Sequence, residues 1–323
     1  MKYRTFGRTG WEVSEIGYGM WGMGDWTGSD DDESMRSLQK AVDEGVNFFD
    51  TAWAYGQGHS EHLLGQLLHA NPGARLYTAT KIPPMNLRWP ARARDPLDET
   101  FPPSHIRAYT ERSLKNLGVR VIDLMQFHVW HDAWAGDERW QTEMRRLKDE
   151  GLVRAWGLSL NRWEPANGIA ALKTGLIDAV QVIYNIFDQN PEDELFPVCR
   201  DLNIAVIARV PFDEGSLTGA LTKDSRWPQG DWRNHYFNRD NLFHTLRRVD
   251  AVKQIVPEGM TLPELALRFI LQNATVSTVI PGMRKTGHVL ANTGASSGTS
   301  LPAGVMAELG RHRWDRKPAA WSD

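Results

Sequence analysis

The chain has 323 residues, 41% hydrophobic and 24% charged, a globular balance that fits two small domains or one large α/β barrel. A formal net charge of −3 offers no basic surplus to hold nucleic acid or an anionic membrane, and a lone cysteine, Cys199, excludes an internal disulfide framework and a cysteine-rich zinc site. Met1 to Arg4 lack the apolar run of a signal peptide, and no stretch approaches the ~20 apolar residues of a membrane span, so a cytoplasmic protein is expected.

In chain order, residues 3–6 and 11–16 flank Gly7-Arg8-Thr9-Gly10, a hairpin signal with glycines at the turn. Short apolar runs then recur at 16–20, 46–50, 77–81, 121–128, 153–159, 180–183, 204–209 and 276–281. Helical stripes separate them. Met35, Leu38 and Val42 stop at Gly45, and Leu63, Leu64, Leu67 and Leu68 follow Ser60, a good N-cap residue. Ile106, Thr110, Ser113, Leu114 and Leu117 stop at Gly118; Trp140, Met144 and Leu147 stop at Gly151. Pro165 suits a first helical turn, and Leu195, Val198, Cys199 and Leu202 form a further stripe. The stretch 213–241 reads as a long polar loop, and the tail opens on the flexible composition Thr293-Gly294-Ala295-Ser296-Ser297-Gly298.

Strands that alternate with helices imply a parallel sheet, and a chain of this length can close it. The competing open sheet would carry a Gly-x-Gly-x-x-Gly turn between its first strand and a helix. Gly17, Gly19 and Gly22 have that spacing, but they begin inside the run at 16–20 and no helix follows at once. The expectation is therefore one domain, 1–323, folded as a (β/α)8 TIM barrel. Its hairpin cap is 1–16, its long loop is 213–241, and its C-terminal tail is 293–323.

Barrel enzymes carry reactive groups at the C-terminal ends of their strands. Here the runs end at Asp50, Lys81 and His128, with Tyr55 just beyond Asp50. An ammonium beside a phenol eases loss of its proton, a carboxylate orients the ammonium, and an imidazole can position a carbonyl oxygen. These four form a coherent proton-delivery set. Fourteen tryptophans are many for this length, several of them near loops, including Trp26 and Trp134. Trp21, Trp53 and Trp130 each follow a run closely and are expected to wall a substrate pocket, favouring apolar or aromatic aldehydes. Trp227, Trp232 and Tyr236 in the long loop are placed over the cofactor or pocket. His131 and Asp132 are read as a solvated loop within reach of a substrate's polar groups.

The segment 50–65, from Asp50-Thr-Ala-Trp-Ala-Tyr55 through Ser60-Glu61, resembles the signature of the aldo-keto reductases. Lys81, Asp123-Leu-Met-Gln-Phe-His128, Gly157-Leu-Ser159, Gln181 with Tyr184-Asn185, Gly215-Ser-Leu-Thr-Gly219 and Val279-Ile-Pro-Gly282 follow in family order, so the likeness spans 3–292. The resemblance implies an NADPH/NADP+-dependent oxidoreductase that reduces aldehydes or ketones, with no metal. Tyr55 would be the general acid, tuned by Lys81 and Asp50, and His128 would orient the carbonyl. Ser159, Asn161 and Gln181 would hold the nicotinamide carboxamide, with Trp21 and Phe212 beside the cofactor. Gly215, Ser216 and Leu217 would present backbone to the pyrophosphate. Gly282, Arg284, Lys285, His288 and Asn292 would face the adenosine end, Arg284 toward a 2′-phosphate. Leu160 stands where an asparagine is common, Arg209 where an aromatic residue often stacks on nicotinamide, and His288 and Ala291 where polar or charged residues are frequent. Arg209 would stack through its guanidinium or contact a phosphate. Two other readings follow from the same likeness: a weakly catalytic NADPH-binding regulatory subunit, and an NAD(P)-dependent alcohol or sugar dehydrogenase. No oligomeric interface is legible.

Overall fold

The computed structural model describes residues 1–24 and 28–316; Trp26 and residues 317–323 lie outside the described residues. Strands β1 (Tyr3–Phe6) and β2 (Trp11–Ser14) pair antiparallel as the hairpin. Eight parallel strands follow: β3 (Tyr18–Gly19), β4 (Phe48–Asp50), β5 (Tyr77–Ile82), β6 (Ile122–Phe127), β7 (Val153–Ser159), β8 (Ala179–Ile183), β9 (Ala205–Arg209) and β10 (Val276–Val279). Each pairs with its sequence neighbour, and parallel bridges Ile16–Val279 and Gly19–Gly282 join the two edges. The sheet is thus a (β/α)8 barrel, and the open-sheet alternative is set aside.

Side chains alternate in and out along a strand, so residues two apart share the barrel interior. One interior layer holds Phe48, Ala79, Leu124, Ala155, Ala179, Ala205 and Ile207, packed with Phe6 and Val13 of the hairpin. Several of its members are alanines, and the space they leave is filled by Phe6 and Phe48, whose rings lie 5.2 Å apart. The hairpin therefore plugs the N-terminal end. Gly7 is required there: at φ +49° it sits so close that a Cβ would fall 2.5 Å from the Ala205 amide nitrogen. Two residues further along the same strands come Asp50, Lys81, Gln126, Gln181 and Arg209, so the opposite end of the interior is polar.

Apolar helix faces cover the outside. Leu63, Leu64 and Leu67 of helix His59–Ala70 and Ile106 and Leu117 of helix Pro103–Leu117 are buried in the main core. Each stripe is helical as its period predicts, and Gly118 ends the second in the left-handed region at φ 65°.

Four local expectations need correction. Ser60 lies inside its helix, whose cap is Gly58; its hydroxyl instead joins Thr51 Oγ1 at 2.7 Å and donates to the Met20 carbonyl. Pro165 opens a turn rather than a helix, and among the described residues the helix between β7 and β8 is the short Ile169–Leu172. Residues 293–297 are not flexible chain. They finish helix Thr286–Ser297, with Thr293, Ala295 and Ser296 buried and the Ser296 hydroxyl accepting from the Lys2 backbone. Burial outweighs the weak propensity of that Gly/Ser composition. Finally, 213–241 is not one long loop: it contains the turn Asp213–Thr218, helix Arg233–Tyr236 and the start of helix Arg239–Lys253.

Candidate active site

The polar layer at the strand C-termini converges on one ammonium. Lys81, wholly buried, donates to Asp50 Oδ1 at 2.5 Å, to the Thr51 carbonyl at 2.7 Å and to Tyr55 Oη at 3.3 Å. The second Asp50 oxygen accepts from Gln181 Nε2 at 2.7 Å and Gln126 Nε2 at 3.1 Å. Three acceptors thus fix the lysine head beside the phenol. Gln126 was not singled out from sequence, although it sits two residues before His128 and shares its facing.

Tyr55 is carried by the turn between β4 and the helix that follows. Gly24 lets the β3 loop close on that turn, since a Cβ there would fall 2.5 Å from the Tyr55 carbonyl carbon. The Tyr55 and His128 rings lie 5.7 Å apart, edge to face. Burial raises the phenol's pKa above its ordinary value of 10, and the nearby Lys81 charge only partly offsets this. Burial, together with Lys81 and Arg209, holds His128 well below the usual imidazole range of 6.5. At neutral pH the site therefore presents a protonated phenol and a neutral imidazole. That pair can donate to, and hold, an oxygen on which negative charge develops.

The pocket walls differ from expectation in one residue. Trp130 is fully buried; it packs against Phe127, Trp134 and Trp140 and donates its indole N–H to Asp132, so it belongs to the core and not to a substrate wall. Trp130 lies in the main core between strands and helices. Trp89 takes the place at the wall instead: its ring stands edge-on to His128 at 4.5 Å and is 44% exposed. Only tertiary folding brings the loop after β5 across the barrel mouth, so no local signal marked Trp89. Trp53 is half-buried against Tyr109, and Trp21 is 42% exposed and packs on Trp232 at 5.7 Å. Trp232 thus reaches across to the β3 loop, while Trp227 stacks on Phe237 away from it. Asp132 is committed to structure, accepting from the Ala170 and Ala171 amides.

Beyond the tyrosine, the expected cofactor residues form a continuous track. Ser159 is buried at the end of β7, opposite the buried Gln181 in the middle of β8, and Arg209 ends β9. The Asn161 amide nitrogen is spent on the Ala91 carbonyl at 3.0 Å and on Glu164 at 2.8 Å, which leaves its buried Oδ1 without a partner. Phe212 leads into the turn of Asp213, Glu214 and Gly215, all left-handed at φ 44°, 56° and 101°. Nothing would lie within 4 Å of a Cβ on Gly215, so its backbone faces open space. Ser216 and Leu217 are buried and anchor the turn, Ser216 through a 2.7 Å bond to Asp213. Gly282 pairs with Gly19, and Arg284 packs over Gly22 with its buried Nη1 unpartnered. Lys285 and His288 are exposed at the start of helix Thr286–Ser297, and Asn292 is buried on it.

Three ion pairs on two arginines, all missed by sequence reasoning, hold this track. Arg162 pairs with Glu214, and its guanidinium lies 5.0 Å over the Tyr236 ring. Arg316 pairs with Asp188, binds Asp213 Oδ1 at 2.7 Å and donates to Tyr236 Oη at 2.8 Å, with its side chain 1% exposed. The partners of each pair are more than fifty residues apart in sequence, which is why no spacing rule reveals them.

A closed parallel barrel with Tyr, Lys, Asp and His at one mouth, and an open left-handed turn with an orphaned buried arginine atom beside it, define an oxidoreductase that uses a nicotinamide dinucleotide. The orphaned polar atoms and the glycine turn fit that group. Residues 15–313 match the Aldo/keto reductase family profile. The chain is 30% identical to aldo-keto reductase YhdN of Bacillus subtilis, over 90% of this chain and 87% of that one. It is 29% identical to the NADH-specific methylglyoxal reductase of Escherichia coli, over 91% and 93%. The glycerol dehydrogenase AKR11B4 of Gluconobacter oxydans superposes with a TM-score of 0.80 at 27% identity, covering 96% and 94%. The chain belongs to the aldo/keto reductase family.

Proposed function

We propose that this enzyme works as a reductase of small apolar or aromatic aldehydes and ketones, with NADPH preferred over NADH. The observation that carries the reading is the Lys81 ammonium, held by Asp50 and bonded to the Tyr55 hydroxyl. The bound dinucleotide supplies hydride to the carbonyl carbon. Tyr55 gives its proton to the carbonyl oxygen, Lys81 compensates the charge this leaves on the phenol, and His128 aligns the oxygen. Gln126 and Gln181 keep Asp50 aimed at the lysine. Ser159 and Gln181 lie opposite each other where a carboxamide would be held.

The preference for NADPH rests on Arg284. Its orphaned Nη1 and the adjacent Lys285 stand at a helix start, where backbone N–H groups favour phosphate. Arg284→Ala is expected to cut the NADPH-over-NADH ratio of kcat/KM by about ten- to a hundredfold, the worth of a charged hydrogen bond. An unchanged ratio removes the assignment. Apolar substrates are favoured by Trp21, Trp53 and Trp89, and Trp89→Ala should lower kcat/KM for benzaldehyde-type substrates by about three- to tenfold. Equal losses on short aliphatic aldehydes would show that Trp89 only shapes the loop.

The assay for the function itself is dinucleotide oxidation against a panel of carbonyl compounds. Tight binding with no turnover on any of them would favour a regulatory subunit. Among the described residues no helix is long and apolar enough to cross a membrane. The one thiol, Cys199, is buried, and we place the enzyme in the cytoplasm with a small carbonyl compound as its partner.

A further inference from the structure

Arg209 is the last residue of β9, and its facing matches that of Ala205 and Ile207 inside the barrel. Its Nη2 donates to the Leu160 carbonyl at 2.9 Å. Its Nε is buried and has no partner. Among the described residues no carboxylate lies within ion-pairing distance of it. The neighbouring charges are already matched: Lys81 by Asp50 and Arg162 by Glu214. Arg209 therefore stands at the polar mouth of the barrel without a counter-ion in direct contact. That charge is felt at the catalytic centre, because it lowers the pKa of both Tyr55 and His128. Burial pushes Arg209 down to about 10, so it remains a cation at neutral pH.

The reaction constrains where the nicotinamide lies. Hydride would have to reach the carbon of a carbonyl whose oxygen is held by Tyr55 and His128, so a bound nicotinamide would be held near the phenol, at the strand ends that also carry Arg209. In the reduced dinucleotide this ring is neutral; after it gives up hydride it carries a full positive charge. The pyrophosphate and the adenosine end with its 2′-phosphate are the same in both forms, and their contacts cancel in a comparison. What remains is the repulsion between a fixed guanidinium and the oxidised ring.

We propose that Arg209 makes the site discriminate redox state, binding the reduced dinucleotide more tightly than the oxidised one and so favouring release of the spent cofactor. This rests on the reading that the mouth binds nicotinamide beside Tyr55. Two like unit charges a few ångströms apart, at the effective dielectric of a protein site, repel strongly enough to be worth about tenfold or more in affinity.

The experiment is titration calorimetry of the full chain with NADPH and NADP+ separately, in wild type, Arg209→Met and Arg209→Lys. The wild type is expected to bind NADPH about tenfold tighter or more. Arg209→Met should lose most of that ratio by gaining affinity for NADP+, and Arg209→Lys should keep most of it. A residue that merely shapes the pocket would change both affinities together and leave the ratio alone, and that result overturns the proposal. So does a wild-type ratio near one, which is decisive even if Arg209→Met fails to fold. If the wild type binds neither nucleotide, the cofactor reading itself falls and this inference falls with it; binding of both without preference removes the inference only.

Discussion

Tyr55→Phe is expected to lower kcat for carbonyl reduction by about two to four orders of magnitude, the range that a positioned proton donor contributes, while NADPH affinity stays within a few-fold. The substitution removes one oxygen atom. That oxygen takes the 3.3 Å bond from Lys81, but the lysine keeps Asp50 and the Thr51 carbonyl, so the rest of the site retains its geometry. Stopped-flow single turnovers with NADPH in excess would isolate the chemical step. Retention of more than about a tenth of the wild-type rate would mean that water or His128 delivers the proton.

The same geometry sets a pH profile. With the phenol's pKa raised above 10, reduction should hold steady from neutrality into mild alkali. It should fall only as pH rises through that raised value and the proton is lost; alcohol oxidation should rise over the same range. With His128 held well below 6.5, no break is expected at the ordinary histidine position. A clear inflection of kcat/KM near pH 6.5 that vanishes in His128→Asn would contradict the neutral imidazole.

Arg316→Ala is expected to be the most destabilising single change discussed here, costing about 3–5 kcal/mol, because it strips the partner from two buried carboxylates at once. Asp188 and Asp213 are 4% and 1% exposed as side chains and cannot recover the loss from water. The damage should centre on the cofactor turn, since Asp213 begins the left-handed run through Gly215 and also holds Ser216. Urea unfolding would measure the cost, and NADPH affinity should weaken alongside. Adding Asp188→Asn and Asp213→Asn should restore part of the stability by removing the stranded charges. A loss under about 1 kcal/mol would mean that the arginine is no more than a surface ion pair.

Much of the site was legible because its residues stand at strand ends and the strands are legible themselves. Asp50, Lys81 and His128 close or directly follow runs whose apolar pattern is local, and Tyr55 follows within one turn. The family resemblance also pointed to the turn at Gly215. The misses have a common form. Ser60 looked like a cap because cap chemistry reads three or four residues ahead, whereas its real partners, Thr51 and Met20, lie outside its helix. Trp130 looked like a pocket wall because it follows a strand end, but three neighbouring aromatic rings draw it into the core. Trp89, its replacement, belongs to a loop whose sequence says nothing about which way it folds.

The α/β pattern was decided by the chain's own periodicities. Side chains alternate along a strand and recur along a helix through backbone geometry alone, so eight apolar runs with helical stripes between them mark a parallel α/β sheet, and closure into a barrel is seen in the bridges that join its edges. Tertiary structure alone decided the counter-charges: which carboxylate meets Arg316, which amides hold Asp50, and that Arg209 meets none. Charge pairing acts through space over a few ångströms, while its partners lie tens to more than a hundred residues apart in the chain, so only the closed barrel brings them within range of one another.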